Sequence, residues 1–471
     1  MNTTDNKTIL LINPRATYVD EIAQKCYPPM SLLYLASALR EQGFNPVVLD
    51  ANAFCMTDEK IAVQVQSHKP LIVGLSLYSE ILHQVRDITR FVRETCPTTR
   101  IVLGGPHATA IPRETMEQFS EIDYVLSGEA EESFPMLCRA IKNRNILTQI
   151  PGVFYRDGDK ILEGLPAKLP SIDKIPAPAR DLVARAYEEK RYYTIMVRQR
   201  PVDTLFTSRG CPFRCGFCYN FRFKYRGRSP EDVVDELVRI RDRGIRDVEI
   251  CDDTFTAIRP RAIKIFDLII KEKLDISFRI KSRVDVFTDE LAEKASKAGV
   301  YLVAFGMESG SQRILDAMNK KTTVAQNARA CELTRKYRML CHSSWVIGYP
   351  GETQETITET FEFIRKNHPA TVNIAVLRPY PKTLAYEIAY ESGDLIGEWY
   401  PDSKEMPWVR LPWIRKKMEL DDLCRKLMRR IYFTPYYMSS FASRIVRNAN
   451  WILAKYAIQE TRKVINTKHT D

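Results

Sequence analysis

The stretch SRGCPFRCGFCYN, residues 208–220, places Cys211, Cys215 and Cys218 in one short loop of a 471-residue chain. This C-x3-C-x2-C spacing has three physical readings. A structural zinc site takes four tetrahedral ligands, usually as two separated pairs, so zinc needs a fourth residue from elsewhere. A ferredoxin-type 4Fe-4S cluster takes four thiolates. Three thiolates on such a cluster leave one iron open, free to chelate a small molecule. The run PVDTLFTSRGC feeds a strand straight into the loop, and the aromatic Phe217 stands just before the last cysteine.

Composition narrows the setting. The opening MNTTDNKTILLINPR has no basic segment followed by an apolar run and a cleavage site, and no later stretch stays apolar long enough to span a bilayer. A cytoplasmic location is expected, with the eleven cysteines as thiols rather than disulfides. A formal charge of +11 suits nucleic acid, anionic lipid or acidic small molecules without choosing among them.

Upstream of the cysteines, residues 8–141 alternate short apolar strands (TILLINP, NPVVLDA, PLIVGLSLY, RIVLGG, IDYVLSGE) with helical stretches, which predicts a parallel sheet covered on both faces. The expected fold is flavodoxin-like, of the Rossmann type. Such a sheet binds ligands beyond the carboxyl ends of its strands. Small polar segments cluster there: SLYSE (76–80), GGPHAT (104–109) and SGEAEES (127–133). Each alone reads as an ordinary helix-capping turn. Three at one sheet edge read as a ligand cradle. Residues 146–198 follow as a linker in which IPGVFYRDGDKI predicts a small hairpin and recurrent proline forbids a long helix.

Downstream, DVEICDD, SFRIKSRVD, YLVAFGMESG, LCHSSWVIGYPGE and TVNIAVLRPYP predict strands, each preceded by a helix: 230–243, 259–272, 289–298, 323–338 and 353–367. Repeated βα units imply a parallel barrel or partial barrel with its chemistry at the carboxyl ends of the strands. Asp252, Asp253, Arg283, Glu308, Ser309 and the GYPGE turn gather there. Taken singly, each reads more simply as a helix cap or a surface ion pair.

Two resemblances follow from these motifs. YPPMSLLYLASAL, GGPHAT and SGEAEES resemble the cobalamin-binding domain that precedes many radical S-adenosylmethionine (SAM) enzymes. Residues 199–390, with the cysteine triad, resemble the radical SAM partial (β/α) TIM-like barrel. The resemblance implies a cobalamin domain (1–145), a linker (146–198), a radical SAM core (199–395) and a helical C-terminal region (396–471). It implies Cys211, Cys215 and Cys218 on a 4Fe-4S cluster whose open iron SAM fills. It further implies Phe217 against the adenine, Asp252 near the SAM amino group, Arg283 near its carboxylate, Glu308 and Ser309 near the ribose, and Ile347 and Gly348 lining the adenine. Cobalamin would meet Pro29, Ser76, Leu77, Tyr78, Gly104, Gly105, His107, Ser127, Gly128 and Glu129.

Three departures qualify the match. NPRATYVDEIAQKCYPP lacks the Asp-x-His-x-x-Gly cobalt-ligating motif, so no protein histidine is expected on cobalt, and His107 is expected to touch the cofactor periphery or cap a helix. The usual Gly-Gly-Glu-like segment reads ICDD. The common PYPGT reads PYPKT, with Lys382 expected at the substrate end.

The expected activity is C-methylation: one SAM methylates cobalamin, a second makes a 5′-deoxyadenosyl radical, and the substrate radical takes the methyl group. The alternative keeps both cofactors for an oxidative cyclisation or rearrangement, as in the anaerobic porphyrin-ester cyclases this arrangement also resembles. A remote alternative is a zinc-stapled nucleic-acid adaptor. Methylthiolation of transfer RNA is disfavoured, since no second cysteine triad precedes the barrel and no small RNA-binding β-barrel follows it. Expected partners are a small-molecule or natural-product substrate, apolar in one reading, and a flavodoxin or ferredoxin electron donor, with no nucleic acid. The basic and apolar tail is expected to pack on the barrel, with a peripheral membrane surface as the minority reading; its aromatic run IYFTPYY is read as a lid for an apolar pocket.

Overall fold

The four-residue run Ile9–Ile12 is wholly buried, and each such side chain contributes about 1.5–3 kcal/mol by leaving water. It forms the centre of β1 (Thr8–Asn13) in the computed structural model, which describes residues 7–15, 26–143, 145–194, 197–219, 223–403 and 405–439. The chain divides into two compact units. One holds the described residues up to Tyr192 together with Glu398–Met406; the other holds Tyr193–Gly397 and the described residues from Pro407 onward.

In the first unit β1 is followed by α1 (Met30–Glu41), β2 (Asn45–Asp50), α2 (Asp58–His68), β3 (Ile72–Ser76), α3 (Leu82–Thr95), β4 (Arg100–Gly104), α4 (Pro106–Ala110), α5 (Pro112–Gln118), β5 (Tyr124–Leu126) and α6 (Ser133–Asn143). The five strands are parallel in the order β2-β1-β3-β4-β5, the flavodoxin-like order. The hairpin expected in the linker forms as β6 (Val153–Asp157) and β7 (Lys160–Glu163), but it does not stand apart from the sheet. It joins the sheet antiparallel to β5, with Leu126 opposite Val153. The proline-rich stretch lies on α1, where Ser37 Oγ donates to Ala177 O (2.5 Å) and Ala179 N to Leu33 O (3.1 Å). The short α7 (Ala184–Glu188) closes this stretch.

The second unit carries β8 (Val202–Leu205), β9 (Ser208–Arg209), β10 (Arg226–Gly227), α8 (Pro230–Asp242), β11 (Asp247–Ile250), α9 (Arg259–Lys271), β12 (Ser277–Ser282), α10 (Asp289–Lys297), β13 (Val300–Glu308), α11 (Gln312–Ala317), α12 (Val324–Lys336), β14 (Leu340–Ile347), α13 (Gln354–Asn367), β15 (Thr371–Val376), α14 (Leu384–Glu391), β16 (Leu395–Ile396), β17 (Trp408–Val409) and α15 (Lys417–Tyr432). Six parallel strands run in chain order, β8-β11-β12-β13-β14-β15, as an open barrel. Local sequence sets the helix starts. Ser229 caps α8 by accepting from Asp232 N at 3.2 Å, and Thr323 with Gln326 forms a capping box on α12.

The described part of the C-terminal region packs on this sheet's edge. Tyr432 Oη exchanges 2.8 Å hydrogen bonds with the backbone of Val372, Tyr437 donates to Pro369 O at 2.9 Å, and Tyr436 stacks on His368 at 4.1 Å. The aromatic run is therefore a packing element rather than a pocket lid. The membrane reading falls largely on residues 440–471, outside the described residues. Among the described residues no helix is long and apolar enough to cross a membrane.

Candidate functional site

Two glycines explain the course of the cysteine loop. At Gly210 (φ +72°) a Cβ would lie 2.6 Å from the carbonyl oxygens of Phe223 and Lys224, and at Gly216 it would meet Tyr349 Oη at 2.8 Å. Gly216 also ties the loop to two helices, its N–H donating to Met318 O (2.7 Å) and its carbonyl accepting from Ala385 N (2.9 Å). Cys215 is buried; Cys211 and Cys218 are half-buried.

Asp252 anchors the strand that feeds this loop. It is wholly buried and accepts from Thr207 N (2.6 Å), Thr207 Oγ1 (2.5 Å), Ser208 N (3.1 Å) and Ser208 Oγ (2.6 Å). Four donors satisfy both carboxylate oxygens. Asp252 is thus a brace of the loop and not an open acceptor for the SAM amino group. Its neighbour Asp253 is exposed. Thr254 Oγ1 lies 3.8 Å from Cys211 Sγ.

Arg283 departs from expectation in the same way. Its Nε and Nη2 grip the two oxygens of Asp285 at 3.0 Å, Nη2 also donates to Lys320 O at 2.7 Å, and the guanidinium stacks 3.9 Å over the Phe213 ring. The fork expected for the SAM carboxylate is filled. Nη1 instead points at Cys215 Sγ, 3.5 Å away. Arg283 is a support of the thiol loop.

Glu308 ends β13 in the left-handed region (φ +63°), a strained conformation for this residue, and its Oε1 accepts from buried Lys320 Nζ at 2.8 Å. That ammonium lies 5.6 Å from the centre of the Phe217 ring, which packs against Ile314, Met318, Tyr349 and Leu377. Ser309 is turned inward, its Oγ 3.3 Å from Thr360 Oγ1 and accepting from Ser311 N, so it offers nothing to a ribose. After β14, the carbonyl of Ile347 accepts from Leu377 N at 2.7 Å. Gly348 (φ +96°) donates its N–H to Glu352 Oε2 at 2.5 Å, and burial pushes the Glu352 carboxyl up to about 7.

In the first unit the three turns after β3, β4 and β5 are knitted together. Leu77 N donates to Gly104 O (2.7 Å), His107 N to Leu77 O (3.1 Å) and Gly128 N to Thr109 Oγ1 (2.9 Å). Gly105 has φ +96° and a Cβ there would lie 3.0 Å from Leu77 N; Gly128 has φ +88°. His107 is buried, with Nδ1 2.8 Å from Ser79 Oγ and Nε2 without a hydrogen-bond partner among the described residues. Burial lowers its pKa to about 4, so the ring is neutral. Ser76 ends β3, Tyr78 is exposed, Ser127 N donates to Gly152 O, Glu129 is half-buried, and Pro29 is buried at the start of α1.

Both sites suit the implied cofactors. Three thiols on a braced loop, one beside a guanidinium, suit a cluster bearing negative charge. Among the described residues no three His, Cys, Asp or Glu side chains converge on a single metal ion. The glycine-rich turns suit a large polar ligand at the sheet edge.

Comparison with known proteins agrees. The radical SAM superfamily profile matches residues 205–364 and the B12-binding domain profile matches residues 18–137. Over 467 residues, 97% of this chain and 98% of the other, the sequence is 30% identical to an uncharacterized methyltransferase of Pyrococcus horikoshii. The chain belongs to the cobalamin-dependent radical SAM methyltransferase family. It is also 29% identical over 379 residues, 79% of this chain and 67% of the relative, to the anaerobic magnesium-protoporphyrin IX monomethyl ester cyclase of Rubrivivax gelatinosus. The radical SAM methyltransferase TsrM from Kitasatospora setae has the same fold, with a TM-score of 0.70 at 20% identity over 82% of this chain and 77% of that one.

The cofactors of this radical SAM enzyme are a 4Fe-4S cluster, SAM and cobalamin. Family membership removes the zinc-stapled adaptor. The pairing of Arg283 with Asp285 is the ion-pair alternative that the sequence offered; the residues missed in the sequence are Lys320 and Glu352. Lys320 lies in NKKTT, outside the motifs singled out, while Glu352 stood in GYPGE but carried no sign that it would be buried.

Proposed function

We propose that the enzyme transfers a methyl group to a carbon atom of a small-molecule substrate. The observation that carries this reading is the presence, in one chain, of a three-thiol loop and a cobalamin cradle in the same order as in a methyltransferase matched over nearly its whole length. When bound, the cluster supplies the electron that cleaves SAM to a 5′-deoxyadenosyl radical, and cobalamin supplies the methyl carrier.

The chain's own residues hold and orient. Cys211, Cys215 and Cys218 ligate the cluster, and Arg283 steadies Cys215 with a charge-assisted contact. Phe217, with the Glu308–Lys320 pair beside it, forms the wall for adenine and ribose, and Glu352 fixes the Ile347–Gly348 turn that completes it. In the first unit, the turns at Ser76–Tyr78, Gly104–His107 and Ser127–Glu129 receive cobalamin.

The likeness to the cyclase favours ring formation as a second reading. Anaerobic turnover with trideuteromethyl-SAM and a metabolite extract from a deletion strain separates the two. Methylation gives S-adenosylhomocysteine, 5′-deoxyadenosine and a product carrying the labelled methyl. A product formed without the label, and without S-adenosylhomocysteine, would overturn methylation.

A further inference from the structure

The sheet of the second unit has two unlike faces. Side chains alternate along each strand and align across parallel neighbours. One face packs on helices: Trp345 lies 5.4 Å from Phe363 of α13, and Cys341 Sγ lies 3.8 Å from Cys331 of α12. The other face is the inside of the open barrel. Register places Lys281, Ala304, His342 and Thr371 in one row of it, and Gly306, Ser344 and Asn373 in the next row toward the carboxyl ends. These residues are half-buried or exposed, unlike the buried set opposite. The wall is polar, which does not suit the apolar substrate considered from sequence.

Lys281 stands out in it. Among the described residues its ammonium meets no carboxylate at ion-pair distance. Glu249, in the row below, is held by Arg279 at 3.0 Å, and burial pushes the Cys251 thiol up to about 12. Enclosure works to lower the Lys281 pKa, but Cys251, Glu249, Asp253 and Asp252 more than offset this and it is raised, so the charge persists. An enclosed cation is costly until an anion joins it. Ala304 separates Lys281 from His342, whose Nδ1 lies 2.8 Å from Thr371 Oγ1. Two strand spacings put the Lys281 and His342 backbones about 10 Å apart. Over Ala304 that leaves a gap of the size of one oxyanion group, closed at Gly306 in the next row by the Glu308–Lys320 pair.

We infer that Lys281 and His342 flank a seat for an oxyanion of the substrate, a carboxylate or a phosphoryl group, on the inner face of the barrel. This rests on the proposed function, in which the radical forms at the cysteine loop of the same barrel and the substrate occupies its interior.

The test uses the reconstituted holoenzyme saturated with SAM, so that the SAM carboxylate site is filled, and ligand-observed nuclear magnetic resonance with acetate, inorganic phosphate and uncharged acetamide. Both the seat and its source are read at once: acetate or phosphate binds, the tighter of the two names the group, and acetamide does not bind. Lys281→Met weakens the anion tenfold or more, and Lys281→Arg restores most of it. Should Lys281→Met lose iron, sulfide or cobalamin, Ala304→Val, which fills the gap and keeps the charge, must weaken the anion instead. The inference fails if wild-type enzyme binds neither anion, if acetamide binds equally well, or if the variants bind as wild type does. Anion binding that depends on Lys281, in an enzyme that transfers no methyl group, would support the seat and overturn the proposed methylation.

Discussion

Arg283 directs one guanidinium nitrogen at the sulfur of Cys215, 3.5 Å away, while its other two hold Asp285. A cation beside a cluster thiolate favours the reduced, more negative cluster. Arg283→Met should therefore lower the cluster's reduction potential by roughly 60 mV or more, the one-electron equivalent of a lost charge-assisted hydrogen bond of about 1.5 kcal/mol. Potentiometric titration followed by electron paramagnetic resonance reads this. An unchanged potential would mean that Arg283 serves only Asp285 and Phe213.

Cys211→Ala, Cys215→Ala and Cys218→Ala should each remove bound iron and sulfide and abolish 5′-deoxyadenosine formation. Cys55→Ala, at an exposed thiol of the other unit, should do neither. Iron and sulfide analysis after anaerobic reconstitution decides. A triad variant that cleaves SAM at the wild-type rate defeats the ligand assignment.

Glu352 binds its proton more tightly in the folded chain, at about 7 against an ordinary value of 4.5. Its contribution to stability is thus fully present below pH 4.5 and is lost as pH rises through 7, by on the order of 3 kcal/mol. Glu352→Gln keeps an acceptor for Gly348 N and removes the titration. The difference in thermal midpoint between variant and wild type should grow in the variant's favour from pH 5 to pH 8. A difference that stays flat over this range rules the assignment out.

His107 is held by Ser79 on one side and enclosed by protein on the other, so it should not reach cobalt. The electron paramagnetic resonance spectrum of bound cob(II)alamin should be the same in wild type and His107→Ala. Loss of a nitrogen splitting in the variant would identify His107 as a ligand.

The sequence by itself determined the parts of this protein that depend on near neighbours. Apolar runs of strand length alternating with capped helices specify two parallel sheets, and C-x3-C-x2-C in a loop after a strand specifies three thiols that act together. Such features need only local periodicity and spacing. Which polar residues remain free for ligands was decided by the tertiary structure. Asp252 is consumed by Thr207 and Ser208, 45 and 44 residues earlier, and Ser309 sits against Thr360, 51 residues later. Arg283 shows that even a close partner, Asp285, is chosen by packing, because Phe213 and Lys320 O set the plane of the fork. A buried carboxylate or guanidinium must find partners wherever the fold places donors and acceptors, and those distances are not written in the spacing of the chain. The same holds for Lys281, an ordinary lysine in FRIKSR until parallel register sets it in a row with Ala304 and His342.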